Sequence, residues 1–202
     1  MSRPADVAII DSGGANLASL QYALDRLGAR SVVTADPTAI AVAPRVLLPG
    51  VGAATDAMRR LEHAGLVAGI RALRVPVLGI CLGMQLLYER SEEGDTRCLG
   101  IVPGSVQRLL GAPGRPVPHM GWNSLEPIVP DPLLAGIGPA DYVYFVHGYA
   151  APLGPDTIAA VDYGARLTAV VRHGNFRGVQ FHPERSGAVG ARVLRNFLEL
   201  PG

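Results

Sequence analysis

The chain has 202 residues, 49% of them hydrophobic and 17% charged, and carries a formal net charge of +1. That length fits one domain with a sizeable core, and near-neutral, scattered charge predicts no nucleic-acid partner. All 18 cationic residues are Arg, which excludes Schiff-base and lysine-nucleophile chemistry.

No apolar run approaches the length of a membrane span, and Val7 to Ile10 is too short for a secretory segment before Asp11. The two cysteines, Cys81 and Cys98, lack CxxC spacing, so neither a disulfide framework nor a zinc site is expected. A reducing, cytoplasmic setting without membrane contact fits this pattern. Cys98 has no assigned role beyond a spectator thiol.

In chain order, residues 5–10 read as a strand. A helix follows from the N-cap candidate Asn16 to Leu27, stopped by Gly28. Short strands at 32–33 and 46–48 continue a strand–helix rhythm that predicts a parallel sheet. The turn Gly13-Gly14-Ala15-Asn16 is not Gly-x-Gly-x-x-Gly, and no acidic ribose ligand clearly ends the second strand, so no dinucleotide cofactor is expected. After the third strand, Gly50-Val51-Gly52 enters a helix reaching about Ile70 with a break near Gly65. That loop is either a plain connection or a source of N–H groups for an oxyanion.

Residues 75–80 form an apolar run typical of a central parallel strand. Gly79-Ile80-Cys81-Leu82-Gly83 follows, a Gly-x-nucleophile-x-Gly turn with Cys in the nucleophile position. Apolar spacing from Leu82 through Leu86 and Leu87 or Tyr88 predicts a helix carried towards Arg90. A thiolate at that helix start would meet free N–H groups, with the Leu82 N–H placed for an oxyanion. The alternative is a buried structural Cys.

From Cys98 onward the pattern changes to short strands at 101–110, 116–119, 124–129, 142–146, 158–162 and 168–172, separated by Pro and Gly. A strand at 178–181 and a helix at 188–199 close the chain. Together these predict a doubly wound, mainly parallel α/β sheet flanked by helices, with an antiparallel strand extension, in a single domain over residues 1–202.

Among the five histidines, His63 reads as part of a solvated face and His173 as a turn residue. His119 and His147 end apolar strands, where each lines a site or is a satisfied core group. No pair has metal-ligand spacing, so no metal is expected. His182 stands apart because Glu184 follows two residues later, on the same side of an extended segment, where a carboxylate can orient the ring. Nucleophile, base and orienter are then available at one sheet edge.

Gly79-Ile80-Cys81-Leu82-Gly83-Met84-Gln85 with Gly178-Val179-Gln180-Phe181-His182-Pro183-Glu184 resembles the triad-type, class I glutamine amidotransferases, whose fold is flavodoxin-like. Leu48-Pro49-Gly50-Val51-Gly52, Val117-Pro118-His119-Met120-Gly121-Trp122-Asn123 and Tyr144-Phe145-Val146-His147 are similar to the branch serving imidazole glycerol phosphate synthase. The resemblance implies glutamine hydrolysis through a glutamyl thioester on Cys81, with His182 as base and acid and Glu184 as its orienter. It implies an oxyanion site at Gly50, Val51, Gly52 and Leu82, and substrate contacts at Gln85, Gly148 and Tyr149. It also implies ammonia transfer to a (β/α)8-barrel cyclase subunit, met by Asn16, Trp122, Tyr144 and Arg185, and no cofactor. The glutaminases of pyridoxal phosphate, anthranilate and guanylate synthesis, a stand-alone thiol hydrolase, and a silent scaffold are the alternatives. Four positions depart from the family pattern: Ser12 stands in place of a Tyr, Ala15 in place of a Gly, Arg185 in place of a Lys, and Gly148 where a hydroxyl or bulkier residue often follows the His.

Overall fold

The computed structural model describes residues 5–12 and 17–201, so Asn16 and the turn 13–15 lie outside the described residues. The first half alternates β1 (Val7–Ile10), α1 (Leu17–Asp25), β2 (Ser31–Thr34), α2 (Pro37–Ala41), β3 (Val46–Gly50), α3 (Ala54–His63), α4 (Leu66–Ala72) and β4 (Val77–Cys81). Then come α5 (Leu82–Gln85), β5 (Tyr88–Ser91), β6 (Thr96–Arg97), β7 (Val102–Arg108), β8 (His119–Ser124) and β9 (Glu126–Pro127). The chain ends with β10 (Tyr142–His147), β11 (Tyr149–Ala150), β12 (Thr157–Asp162), β13 (Arg166–His173), β14 (Phe176–Val179) and α6 (Gly187–Glu199).

Among the described residues the main sheet runs β2-β1-β3-β4-β14-β13-β12-β9. Strands from β2 to β14 are parallel to their neighbours, and the remaining three add antiparallel to that edge. Alternate residues of β1 feed two separate cores. Val7 and Ile9 join Leu24 of α1 and Leu194 and Phe197 of α6. Ala8 and Ile10 join Ile40 of α2, Leu61 of α3 and Ile70 of α4. Helices on both faces explain why the central strands read as unbroken apolar runs. This is the doubly wound sheet with antiparallel extension that the sequence predicts. Among the described residues no helix is long and apolar enough to cross a membrane.

Several expectations need correction. The helix after Cys81 is a single turn, Leu82–Gln85, and does not reach Arg90. Its continuation is blocked because the carbonyls of Leu86, Leu87 and Tyr88 accept N–H groups from Leu99, from Ile101 and Val102, and from Gly100. Residues 88–91 are therefore a strand, paired with β6 and β7. The strands expected at 116–119 and 124–129 are mainly one strand between them, His119–Ser124, paired with β10. Pro116 and Pro118 have no N–H to give a ladder. His173 ends β13, and the turn falls on the next two residues.

Strand order reverses between β1 and β3, the place where open α/β sheets build crevices at their carboxyl ends. Ser12 follows β1, Gly50 and Cys81 end β3 and β4 at this edge with Val51 and Gly52 just beyond β3, and His182 lies just beyond β14.

Candidate active site

Cys81 ends β4 with φ 53° and ψ −112°, a conformation that L-residues avoid. Such a backbone stores about 1–3 kcal/mol and persists only when packing dictates it. The two flanking glycines supply that packing. A Cβ on Gly83 would lie 1.7 Å from the Leu48 carbonyl oxygen, and one on Gly79 would lie 2.7 Å from the Gly83 carbonyl oxygen. The turn is thus pressed against β3 with no room for a side chain. Because α5 is one turn long, it offers the free N–H groups at its start rather than the summed dipole of a longer helix.

His182 is held by its main chain. Its N–H donates to the Tyr144 carbonyl at 2.9 Å, and its own carbonyl accepts the Ser186 hydroxyl at 2.6 Å. The Pro183–Arg185 segment is a 3-10 turn, not extended chain, so the His182–Glu184 contact is made across that turn. The imidazole Nδ1–H donates to the Glu184 Oε1 at 2.8 Å, and Glu184 Oε2 is buried without a partner. Burial alone would lower the His182 pKa; hydrogen bonding and charge from Cys81 and Glu184 outweigh it and push the value up to about 10. The ring is therefore an imidazolium at neutral pH, with Nδ1 committed to Glu184 and Nε2 left for chemistry.

These groups open onto a cavity of about 360 Å³, within the range of small-molecule sites. Its walls include Cys81, Leu82, His182 and Glu184, the loop Gly50-Val51-Gly52, and Gln85, Gly148, Tyr149 and Arg185. The triad, oxyanion and substrate candidates predicted from sequence thus surround one space. Trp122 and Tyr144 stand outside it. Their rings meet edge-on at 6.0 Å, and the Arg185 guanidinium lies 4.7 Å from the Tyr144 ring centroid, linking them to the cavity rim.

His147 also lines the cavity, whereas His119 stacks between Phe145 and Tyr163. Their nitrogens form a directed chain. His147 Nδ1–H donates to the Tyr149 carbonyl at 2.8 Å, so its Nε2 accepts from His119 Nδ1–H at 3.0 Å. Burial, mainly, pushes both pKa values down to about 4, so both rings are neutral at pH 7. Ser12, the departure from the family loop, is buried and donates its hydroxyl to the Pro49 carbonyl at 2.9 Å. It ties the first loop to the strand end carrying Gly50.

Nothing in the motif pattern marks Glu93, which reaches the cavity from a 3-10 turn after β5 and caps α3 by accepting the Ala54 N–H at 2.8 Å. No local signal betrays it, because its place depends on β5 replacing the expected helix. Cys98 lies outside the cavity lining. Burial, with the charge of Glu93, pushes its thiol up to about 11, so it holds its proton at neutral pH.

A model of the family described as glutamine amidotransferase class-I matches residues 8–200. The imidazole glycerol phosphate synthase subunit HisH of Xanthomonas euvesicatoria pv. vesicatoria is 58% identical over 195 residues, covering 96% of this chain and 98% of that protein. The HisH subunit of Xylella fastidiosa strain Temecula1 is 54% identical over the same shares. Among solved structures, a glutamine amidotransferase superposes with a TM-score of 0.74 at 24% identity, covering 96% of this chain and 97% of that one. A Thermoplasma acidophilum protein described as part of a GMP synthase gives the same score of 0.74, at 18% identity and covering 98% and 94%. At those identities the two structures speak for the fold.

Proposed function

Because the chain belongs to the class-I glutamine amidotransferase family, we propose that it is the glutamine-hydrolysing subunit of an imidazole glycerol phosphate synthase, forming ammonia for histidine biosynthesis. Relatives at 54–58% identity carrying that name support this reading. The observation that carries the chemistry is the 2.8 Å bond from His182 Nδ1 to Glu184, with Cys81 at the same cavity.

In this mechanism the Cys81 thiolate attacks the side-chain amide carbon of glutamine. The carbonyl oxygen becomes an oxyanion, received by the Leu82 N–H and the Gly50-Val51-Gly52 loop. His182 passes its Nε2 proton to the leaving nitrogen, so ammonia departs and a glutamyl thioester remains. Water then attacks the thioester while Nε2 takes its proton, and the second intermediate expels the thiolate and glutamate. Glu184 orients the ring throughout.

Substrate contacts follow from which polar atoms are already used. Gln85 Nε2 donates to the Tyr149 carbonyl and to Gln180 at 2.8 and 3.0 Å, which leaves Gln85 Oε1 to accept the substrate α-ammonium. Glu93 adds the complementary charge. Gly148 and Tyr149 form the facing wall.

Residues 1–202 act as one glutaminase domain, in the cytoplasm, beside a cyclase subunit of (β/α)8-barrel fold. Trp122, Tyr144 and Arg185 face that partner, and the family resemblance adds Asn16 to the contact. Internal transfer is required because ammonia in bulk water at neutral pH is mostly ammonium, which is no nucleophile.

The test is Cys81→Ala in the complex. Glutamine-dependent product formation is expected to vanish while ammonia-dependent formation persists. Retention of the glutamine-dependent activity sinks the assignment of Cys81, and stimulation by another synthase in place of the cyclase sinks the assignment of the partner.

A further inference from the structure

Gln180 is completely buried one residue beyond β14. Alternation along this segment turns Phe181 into the core and leaves Gln180 and His182 on the side of Cys81. The surroundings decide which way its carboxamide faces. The Tyr149 carbonyl can only accept, so the Gln85 atom 2.8 Å from it is the nitrogen. That same nitrogen lies 3.0 Å from the Gln180 side chain, so the Gln180 atom facing it is the oxygen. Gln180 Nε2 is thereby directed at the Cys81 sulfur, 3.8 Å away.

We infer that Gln180 is a positioning residue of the glutaminase reaction: Gln85 and the Tyr149 carbonyl lock its carboxamide so that its N–H holds the Cys81 sulfur as a thiolate. The inference rests on the reading of Cys81 as nucleophile. On another side of the sulfur lies the Val146 carbonyl, also at 3.8 Å, which can only accept and so favours the protonated thiol. Gln180 supplies the opposing preference. Completely buried, its N–H is not shared with water, and in a low-dielectric setting a hydrogen bond to an anion gains strength. It adds no net charge and acts beside the His182 imidazolium, whose hydrogen bond and charge meet the same sulfur. Besides Cys81, the titratable and charged groups lining the same cavity among the described residues are His182, Glu184 and Arg185 beyond β14, His147 at the end of β10, Tyr149 of β11, and Glu93. All of them are retained in the variants below.

Gln180→Met keeps the volume and removes the donor. The probe is alkylation of Cys81 in the full-length chain by iodoacetamide across pH, read by peptide mass. In the variant the midpoint of the rate profile is expected to rise by about half to one pH unit. With the cyclase present, kcat for glutamine hydrolysis is expected to fall by about tenfold while KM stays within about twofold. Gln180→Asn, which withdraws the donor by one methylene, gives a smaller rise of the same sign and decides the matter if the Met variant does not fold. A folded variant whose midpoint stays within about 0.2 unit of the parent overturns the inference, whatever its kcat. Alkylation needs neither glutamine nor the partner. A shifted midpoint in a chain with no glutaminase activity would therefore count against the function proposed above and leave this inference standing.

Discussion

Gly83 and Gly69 show how differently two glycines are used. A Cβ at Gly83 strikes the Leu48 carbonyl at 1.7 Å, and the obstacle is backbone of a central strand. Gly83→Ala is expected to destabilise the chain by about 3 kcal/mol or more, in the range of severe overpacking, and to slow Cys81 alkylation as the elbow is pushed open. Gly69 lies exposed inside α4 with nothing within 4 Å of an added Cβ. There Gly69→Ala is expected to stabilise by about 0.5–1 kcal/mol, the ordinary helix gain. Urea unfolding of the two variants checks both signs. The Gly-x-Cys-x-Gly spacing announces the turn from sequence alone. That Leu48 is the obstacle depends on β3 lying beside β4 in register, Gly50 opposite Cys81, which no local pattern encodes.

At the scale of elements, the β8–β10 hairpin divides its residues by face. Met120, Trp122, Tyr142 and Tyr144 occupy one side, and His119, Val143, Phe145 and His147 the other. The inner set is packed and hydrogen-bonded, whereas Trp122 is 57% and Met120 66% exposed. An exposed aromatic contributes little to the fold and much to a docking surface. Trp122→Ala is expected to change unfolding free energy by less than about 1 kcal/mol and to weaken binding of the cyclase subunit by about tenfold or more. Calorimetric titration measures the second effect and thermal melting the first. A large loss of stability with unchanged binding would place Trp122 in the fold instead. Motifs in the sequence pick out Trp122 and Tyr144, while Met120 and Tyr142 join them only once the hairpin register is known. The segment after Cys81 fails in the opposite way. Its apolar spacing suits a helix, yet contacts with residues 99–102 claim its carbonyls first.

For the molecule as a whole, three histidines set opposing pH dependences. His182 titrates above its ordinary value in the folded chain, at about 10. Its stabilisation is therefore complete below pH ~6.5 and is lost as pH rises through the folded value. His119 and His147 titrate at about 4. Stability tied to their neutral forms is present above ~6.5 and is lost as pH falls towards 4. Unfolding midpoints are thus expected to peak near pH 6.5 and fall on both sides. In His119→Phe the acid limb should flatten, because one of the two buried rings no longer has to be charged. An acid limb unchanged in that variant would show that other groups set it.

The doubly wound sheet and the family were legible in the sequence, as were the residues proposed for nucleophile, base and orienter. Each is written in short-range pattern: glycine spacing around Cys81, His182 and Glu184 two apart, apolar runs for strands covered on both faces. Tertiary structure alone decided the brevity of α5, the arrival of Glu93 at the cavity, the neutral His119–His147 pair and the direction of the Gln180 carboxamide. These depend on which strand carbonyls and side chains meet across long separations. Hydrogen bonds of that kind are chosen by register and burial, and neither is a property of any local stretch of residues.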